Sequence, residues 1–172
     1  RGTGGSASQT YEIYNNTVSI NGSASPNISS SCFEIATTSG PVFTLRNNIF
    51  ANFTAAQGAT AKHSCIVSTS GTTFGPAGTT SNNNNFYIAN DLGTSGHIGI
   101  GNATPYNTVA AWTGAMSPAG LETASQSVNP AFVNNITDLH SNSILLNGAG
   151  VAPPAYLTVD AECLPRTPDN DV

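Results

Sequence analysis

Polar and apolar residues alternate in short runs along the first hundred residues, and the runs recur. "YEIYNNTV" (Tyr11–Val18), "FTLRNNIF" (Phe43–Phe50) and "NNNNFY" (Asn82–Tyr87) each carry two asparagines followed by residues suited to a strand. Taking Asn15, Asn47 and Asn84 as equivalents gives spacings of 47 − 15 = 32 and 84 − 47 = 37 residues. A second signal falls between these, since "CFEIATTSG" (Cys32–Gly40) and "SCIVSTSG" (Ser64–Gly71) end on glycines 71 − 40 = 31 residues apart. Two interleaved signals with one period make a repeat of two or three short strands, and periods of about 20–50 residues belong to solenoids or propellers. Asparagine pairs recurring at one corner favour a parallel β-helix over a propeller blade, because successive coils stack like positions above one another.

Stacking gives the asparagines a use. Asn tolerates the left-handed backbone that a sharp corner needs, and its carboxamide can bond to another roughly 4.8 Å away on the next coil. Asn15/Asn16, Asn47/Asn48 and Asn84/Asn85 are therefore expected to form a ladder, with Asn82 and Asn83 a solvated insertion. Alternation sends Tyr11, Ile13, Phe43 and Leu45 inward and Glu12, Tyr14, Thr44 and Arg46 outward. In the cysteine strands the register expected aligns Phe33 with Cys65 and Ile35 with Val67. It is preferred to Cys32 on Cys65 because it keeps apolar residues in line.

From Thr104 the repeat fades. Asn107 or Thr108 can cap a short helix whose Val109, Trp112 and Met116 share one side. A solenoid must cover its open end, and an apolar helix side does so, which makes Trp112 a capping core residue before a sugar platform. The chain thus reads as one all-β domain. Residues 1–104 form parallel β-helix coils, and residues 105–172 hold the capping helix, strand-like pieces around Phe132 and Ile144–Leu146, and a Pro-rich tail.

Composition narrows the function. A length of 172 residues with 38% apolar content suits a single core. Only 8% of residues are charged, against roughly 25% in ordinary soluble domains, so Ser, Thr, Asn and Gly must make the surface, as suits an extracellular β-rich protein. The net charge is −5, and the four cations, Arg1, Arg46, Lys62 and Arg166, are scattered. Phosphate binding needs them clustered, so nucleic acid is not expected as a partner. No apolar run approaches the roughly 18 residues of a membrane-spanning helix, and direct membrane insertion is not expected. The start at Arg1 reads as that of a mature or excised piece, any export signal lying upstream. Cys32, Cys65 and Cys163 lack the C-x-x-C spacing of zinc sites and read as buried thiols before a disulfide.

The order "RNNIF", "NNFY", "TPYNTVAAWTGAM", "SVNPAFVN", "DLHSNSILLNGAG" and "VDAECLPRTPDNDV" resembles the C-terminal half of right-handed parallel β-helix domains in large secreted proteins of Bacteroidota-type bacteria. The sequence departs from that family in Asn129, where Asp is usual, in "NSILLNGAG" for a Ser-Pro-Ala-Ile phrase, and in stopping before a final Gly-Ala-Asp-Glu. The family's motifs are structural. The resemblance implies a right-handed β-helix, export, often by a type IX-like route with a separate sorting domain, and display at the cell surface.

Polysaccharide lyases and polygalacturonases resemble this fold, so chemistry has to be considered. A lyase needs a carboxylate cluster holding Ca²⁺ plus a base, and hydrolysis needs paired carboxylates. Glu12 and Glu34 are single carboxylates in separate strand patterns. Tyr14 and Arg46, expected to stack on the outer face, are the candidates for glycan contact. Asp160, Glu162, Asp169 and Asp171 concentrate acid in the tail, where a Ca²⁺ site competes with a solvated terminus whose Asp residues cap turns. His63 and His97 stand 97 − 63 = 34 residues apart, near one coil, yet two ligands without a third do not make a zinc site; His140 is the remaining histidine. The glycine-rich start "RGTGGSAS" lacks the P-loop Lys, and the Asn-x-Ser/Thr triplets follow from composition. No cofactor is expected. The expected function is a non-catalytic structural or adhesive module at the bacterial surface, meeting other copies, surface proteins or glycans through its ends or faces. The alternative is the C-terminal part of a glycan-binding or polysaccharide-degrading β-helix protein, lyase-like or hydrolase-like.

Overall fold

Alternating Thr, Val, Ile and Phe favour extended backbone, and the Asn, Gly and Ser between them favour sharp turns, so short strands result. The computed structural model describes residues 9–23, 27–55, 60–90 and 92–159. In chain order these hold β1 (Thr10–Tyr14), β2 (Thr17–Ile20), β3 (Ser30–Ile35), β4 (Val42–Arg46), β5 (Ile49–Asn52), β6 (His63–Ser68), β7 (Thr80–Asn82), β8 (Asn85–Ile88), β9 (Gly96–Gly101), β10 (Thr104–Tyr106), α1 (Val109–Ala115), β11 (Phe132–Asn134) and β12 (Asp138–Ser141). The fold is mostly β, in several small parallel and mixed sheets.

Three sheets carry the order. One runs β1-β4-β7, a second β2-β5-β8, and a third β3-β6-β9, with β10 added antiparallel on β9. The pairings along each set of three are parallel. Each pass of the chain therefore lays one strand on each sheet: β1 to β3 first, β4 to β6 second, β7 to β9 third. Between the sheets lies an apolar column in which Phe33, Phe50 and Phe86 follow one another with ring centroids 5.7 Å apart. Leu45, Cys65 and Ile66 of the middle pass are completely buried.

Two registers differ from expectation. In the third sheet Ser31 pairs with Ser64 and Phe33 with Ile66, which puts Cys32 level with Cys65 and overturns the alignment of Phe33 with Cys65. Alternation fails at this level: Cys65 and Ile66, consecutive residues, both have 0% exposure, so aligning the cysteines exposes no apolar side chain. In the other two sheets the second spacing is 36 residues, as in Thr44 to Thr80 and Asn48 to Asn84, where 37 was expected. The longer spacing comes from the connection between β6 and β7, whose Phe74 turns into the core and meets Trp112 edge-on at 5.9 Å.

The first pass is the less buried. Phe43 and Leu45 point inward as expected, whereas Tyr11 keeps 42% exposure although its ring lies 5.7 Å from Phe43. Among the described residues no strand pairs with the far edge of β1, so Tyr11 has an inward position without the burial.

Helix α1 forms as its pattern indicates, with the Thr108 hydroxyl accepting the Ala111 N–H at 3.1 Å. Trp112 is wholly buried, Met116 nearly so, and Val109 packs half-buried beside them. Gly99 makes room for the indole: a Cβ there would stand 2.3 Å from Trp112 Cε3. Beyond the helix the chain crosses the outside of the second sheet, where Val128, Phe132 and Leu146 cover Ile49 and Ala51. β11 pairs antiparallel with β12, but Ile144–Leu146, expected as a strand-like piece, is a turn with Ile144 83% exposed.

Candidate functional site

The corner between the first and second sheets is made by the asparagine pairs, and each member has its own task. Asn15, Asn47 and Asn83 take the left-handed conformation, with φ of 54°, 57° and 56°. The residue after each forms the ladder. Asn48 Oδ1 accepts the Asn16 backbone N–H at 3.0 Å and its Nδ2 at 3.3 Å; Asn84 Oδ1 accepts the same two groups of Asn48, both at 3.0 Å. The column is thus Asn16, Asn48 and Asn84. The expected grouping of Asn84 with Asn15 and Asn47, and of Asn85 with Asn16 and Asn48, is one residue out of register. Asn83, expected as a solvated insertion, is the corner itself, and Asn85 opens β8 opposite Ile49.

The ladder ends on a group not singled out in the sequence. The Asn84 backbone N–H donates to Ser125 Oγ at 2.8 Å, and its Nδ2 donates to Ser81 Oγ at 3.0 Å and to Glu122 Oε2 at 3.1 Å. Glu122 is 1% exposed, at φ 57°, and its Oε1 has no hydrogen-bond partner among the described residues. Burial pushes this carboxyl above the usual range, while bonds from Ser125, Ser81 and Asn84 pull it back. The signal that locates it is the repeat: Glu122 lies 38 residues beyond Asn84, close to one more pass.

Outside the corner, asparagine side chains hold the C-terminal segment by its backbone. Asn85 donates to Val128 O and accepts from Val128 N, both at 2.9 Å. Asn47 does the same with Val151, at 2.6 and 3.0 Å, and Asn83 donates to Ala149 O at 3.4 Å. The segment from Ala149 to Val151 therefore descends from the third pass to the second. Farther on, Tyr156 donates its hydroxyl to Glu12 of the first pass. Asn15 Nδ2 is buried without a hydrogen-bond partner among the described residues.

Tyr14 and Arg46, expected outward, are neighbours across β1 and β4, with Asn82 next in line on β7. Both are half-buried. Glu12, Thr44 and Thr80 form the parallel row, and Tyr156 stands 63% exposed against Glu12, its phenol pushed up to about 12 by that bond. The face offers an aromatic ring, a guanidinium, a carboxylate and amides, which suits contact with a hydroxyl-rich ligand. Glu12 is the only carboxylate in these rows, so the pair that glycoside hydrolysis needs is not assembled among them.

The histidines do not stack. His63 pairs with Gly96, and His97 with Ser64, so neighbouring positions with opposite directions separate them. His63 Nδ1 bonds to Ser30 Oγ at 2.9 Å and His97 Nδ1 to Asn107 Oδ1 at 2.8 Å. His140 is exposed beside Asp138. Cys32 and Cys65 are free thiols; burial pushes Cys32 up to about 12 and Cys65 well upward. No group of three or more His, Cys, Asp or Glu gathers among the described residues. Asp160, Glu162, Asp169, Asp171, Cys163 and the glycine-rich start lie outside them. No family model, curated protein or solved structure matches this chain.

Proposed function

We propose that the chain is a non-catalytic structural or adhesive module, a right-handed parallel β-helix exported and displayed at a bacterial surface. The observation that carries the reading is the carboxamide column Asn16–Asn48–Asn84, closed by Ser125 and Glu122. Parallel strands recurring once per pass on three sheets are what stacked coils produce, and parallel crossovers are overwhelmingly right-handed. The groups able to do chemistry are engaged in packing: Glu122 in the column, His63 and His97 on neighbouring polar side chains, Cys65 in the core. A charge-poor Ser/Thr/Asn surface and the resemblance to secreted β-helix domains support export.

Two experiments test this. Antibody labelling of intact bacteria producing the protein is expected to stain the surface, and label only in lysed cells would remove display. The purified chain, incubated with pectate, alginate and glycosaminoglycans, is expected to release neither unsaturated products nor reducing ends. Release of either would overturn the non-catalytic reading.

A second reading, glycan binding, is favoured by the adjacency of the half-buried Tyr14 and Arg46 across β1 and β4, with the exposed Tyr156 held nearby on Glu12. On a glycan array it predicts a signal that Tyr14→Ala and Arg46→Ala weaken. No signal from the intact chain would end it.

A further inference from the structure

The two ends of the stack are finished differently. At the third pass each sheet meets further chain: Glu122 N–H donates to Ser81 O of β7 at 2.8 Å, Phe86 N–H of β8 donates to Gln126 O at 2.9 Å, and β9 gains the antiparallel strand β10. Trp112, Met116 and Leu121 lie buried in the core at that end. At the first pass, no described strand covers the far edge of β1, β2 or β3. The inner side chains there are correspondingly open. Tyr11 is 42% exposed where its neighbour Phe43 is 8%, and Ile13, Val18 and Phe33 are only partly buried above Leu45, Phe50 and Ile66.

The ladder carries a second mark of incompleteness. Each pass donates its ladder N–H groups to the carboxamide oxygen of the next, so Asn48 Oδ1 and Asn84 Oδ1 are occupied, while nothing described donates to Asn16 Oδ1. In return each ladder Nδ2 reaches back to a carbonyl of the previous pass: Asn48 to Ile13 O and Asn84 to Leu45 O. Asn16, with no described pass before it, turns its Nδ2 onto Tyr14 O of its own pass.

We propose that the end formed by β1, β2 and β3 is a docking face for one more pass of parallel β-strand, carried by polypeptide on the N-terminal side of β1 and bearing an asparagine at the ladder position. Such a pass continues an interface that the chain already makes twice. Its ladder residue donates to Asn16 Oδ1, and its strands pair with the three free edges and cover Tyr11. Parallel direction and a corner amide are the recognition chemistry, and a second copy meeting this end about a two-fold axis presents antiparallel strands instead. The proposal rests on the stacked-coil reading but is separable from it: a chain that keeps its own ladder protected and ignores an added pass fails only the docking.

The test grafts a second copy of residues 10–41 directly before Thr10 of the full chain and reads hydrogen exchange by mass spectrometry. Expected is exchange in the grafted strands slowed on the order of tenfold or more relative to unstructured chain, with added protection of β1 to β3. Asn→Ala at the graft's own ladder position is expected to lose protection at the corner. In parallel, the synthetic 10–41 peptide is titrated into isotope-labelled chain, where shifts confined to the amides of β1 to β3 support the proposal. An unprotected graft on an otherwise native chain overturns it. Should the grafted chain not fold, the titration alone decides, and amides of β1 to β3 that stay unmoved overturn the proposal. A concentration-dependent dimer of the unmodified chain that vanishes in the grafted chain identifies a second copy as the occupant and likewise overturns it.

Discussion

Asn84 Oδ1 accepts both the backbone N–H and the side-chain N–H of Asn48, each at 3.0 Å, and neither residue has more than 1% exposure. One carboxamide thus satisfies two donors from a residue 36 positions earlier. The bond is the unit on which the corner is built.

Replacing Asn48 by Ala takes the partner from the part-buried Asn16 N–H and from Ile13 O, and removes one of the two donors to Asn84 Oδ1, which keeps the backbone N–H of residue 48. A part-buried group left unpaired costs up to about 1–3 kcal/mol, so Asn48→Ala is expected to lose about 1–3 kcal/mol of unfolding free energy by urea titration. Asn16→Ala, at the exposed end of the same column, is expected to lose under about 1 kcal/mol, since water replaces what is removed. Equal losses at the two positions would refute the ladder as a buried stabilising element.

Gly99 and Trp112 fit because one has no side chain. Gly99→Ala puts a methyl 2.3 Å from the indole, and overpacking of this kind costs about 1–3 kcal/mol. Trp112 is the only tryptophan, so its emission reports on the site directly. A red shift with a lowered melting temperature is expected, whereas an unshifted spectrum at native stability would mean that the helix does not sit on β9 as described.

Asn47 serves the left-handed corner and the Val151 backbone at once, and two substitutions separate the roles. Asn47→Gly keeps the conformation and loses the clamp; Asn47→Ala loses both, adding about 1 kcal/mol of backbone strain. Limited proteolysis of Asn47→Gly is expected to cut near Val151 faster than in the parent chain. Equal cutting rates would show that the clamp does not hold the segment.

Glu122 makes stability depend on pH. Its folded carboxyl is raised above the ordinary 4.5, so the folded chain holds the proton more tightly than the unfolded chain. Stability from this group is therefore fully present below about 4.5, declines as pH rises through the folded value, and stays at its lower level above. Glu122→Gln is expected to remove this decline and to be at least as stable as the parent at pH 7. The check is the difference between the two chains' urea midpoints across pH 4 to 8; a difference that does not change with pH would show that Glu122 does not titrate in this window.

Much of the local structure was legible. The repeat, the left-handed asparagines, the Thr108 cap and the burial of Trp112 all follow from properties a residue carries with it: alternation, tolerance of positive φ, a hydroxyl before a helix. In the run from Asn82 to Asn85, however, four identical side chains give no local reason to choose one as corner and the next as ladder. Packing of Phe86 against Phe50, together with the longer connection carrying Phe74 into the core, makes that choice. The cysteine strands are alike in this respect. Keeping apolar residues in line favoured Phe33 level with Cys65 over Cys32 level with Cys65, but the chain there buries two consecutive residues.

The candidate face was legible in part. Tyr14 beside Arg46 follows from the repeat, while Tyr156 against Glu12, 144 positions away, does not, nor does Glu122 beneath Asn84. The amino-acid order by itself determined where strands, corners and the cap can form, because those preferences act over a few residues. Only the tertiary structure decided which asparagine stacks on which, which carboxylate is buried and which edge is left open, because these depend on contacts between passes more than thirty residues apart.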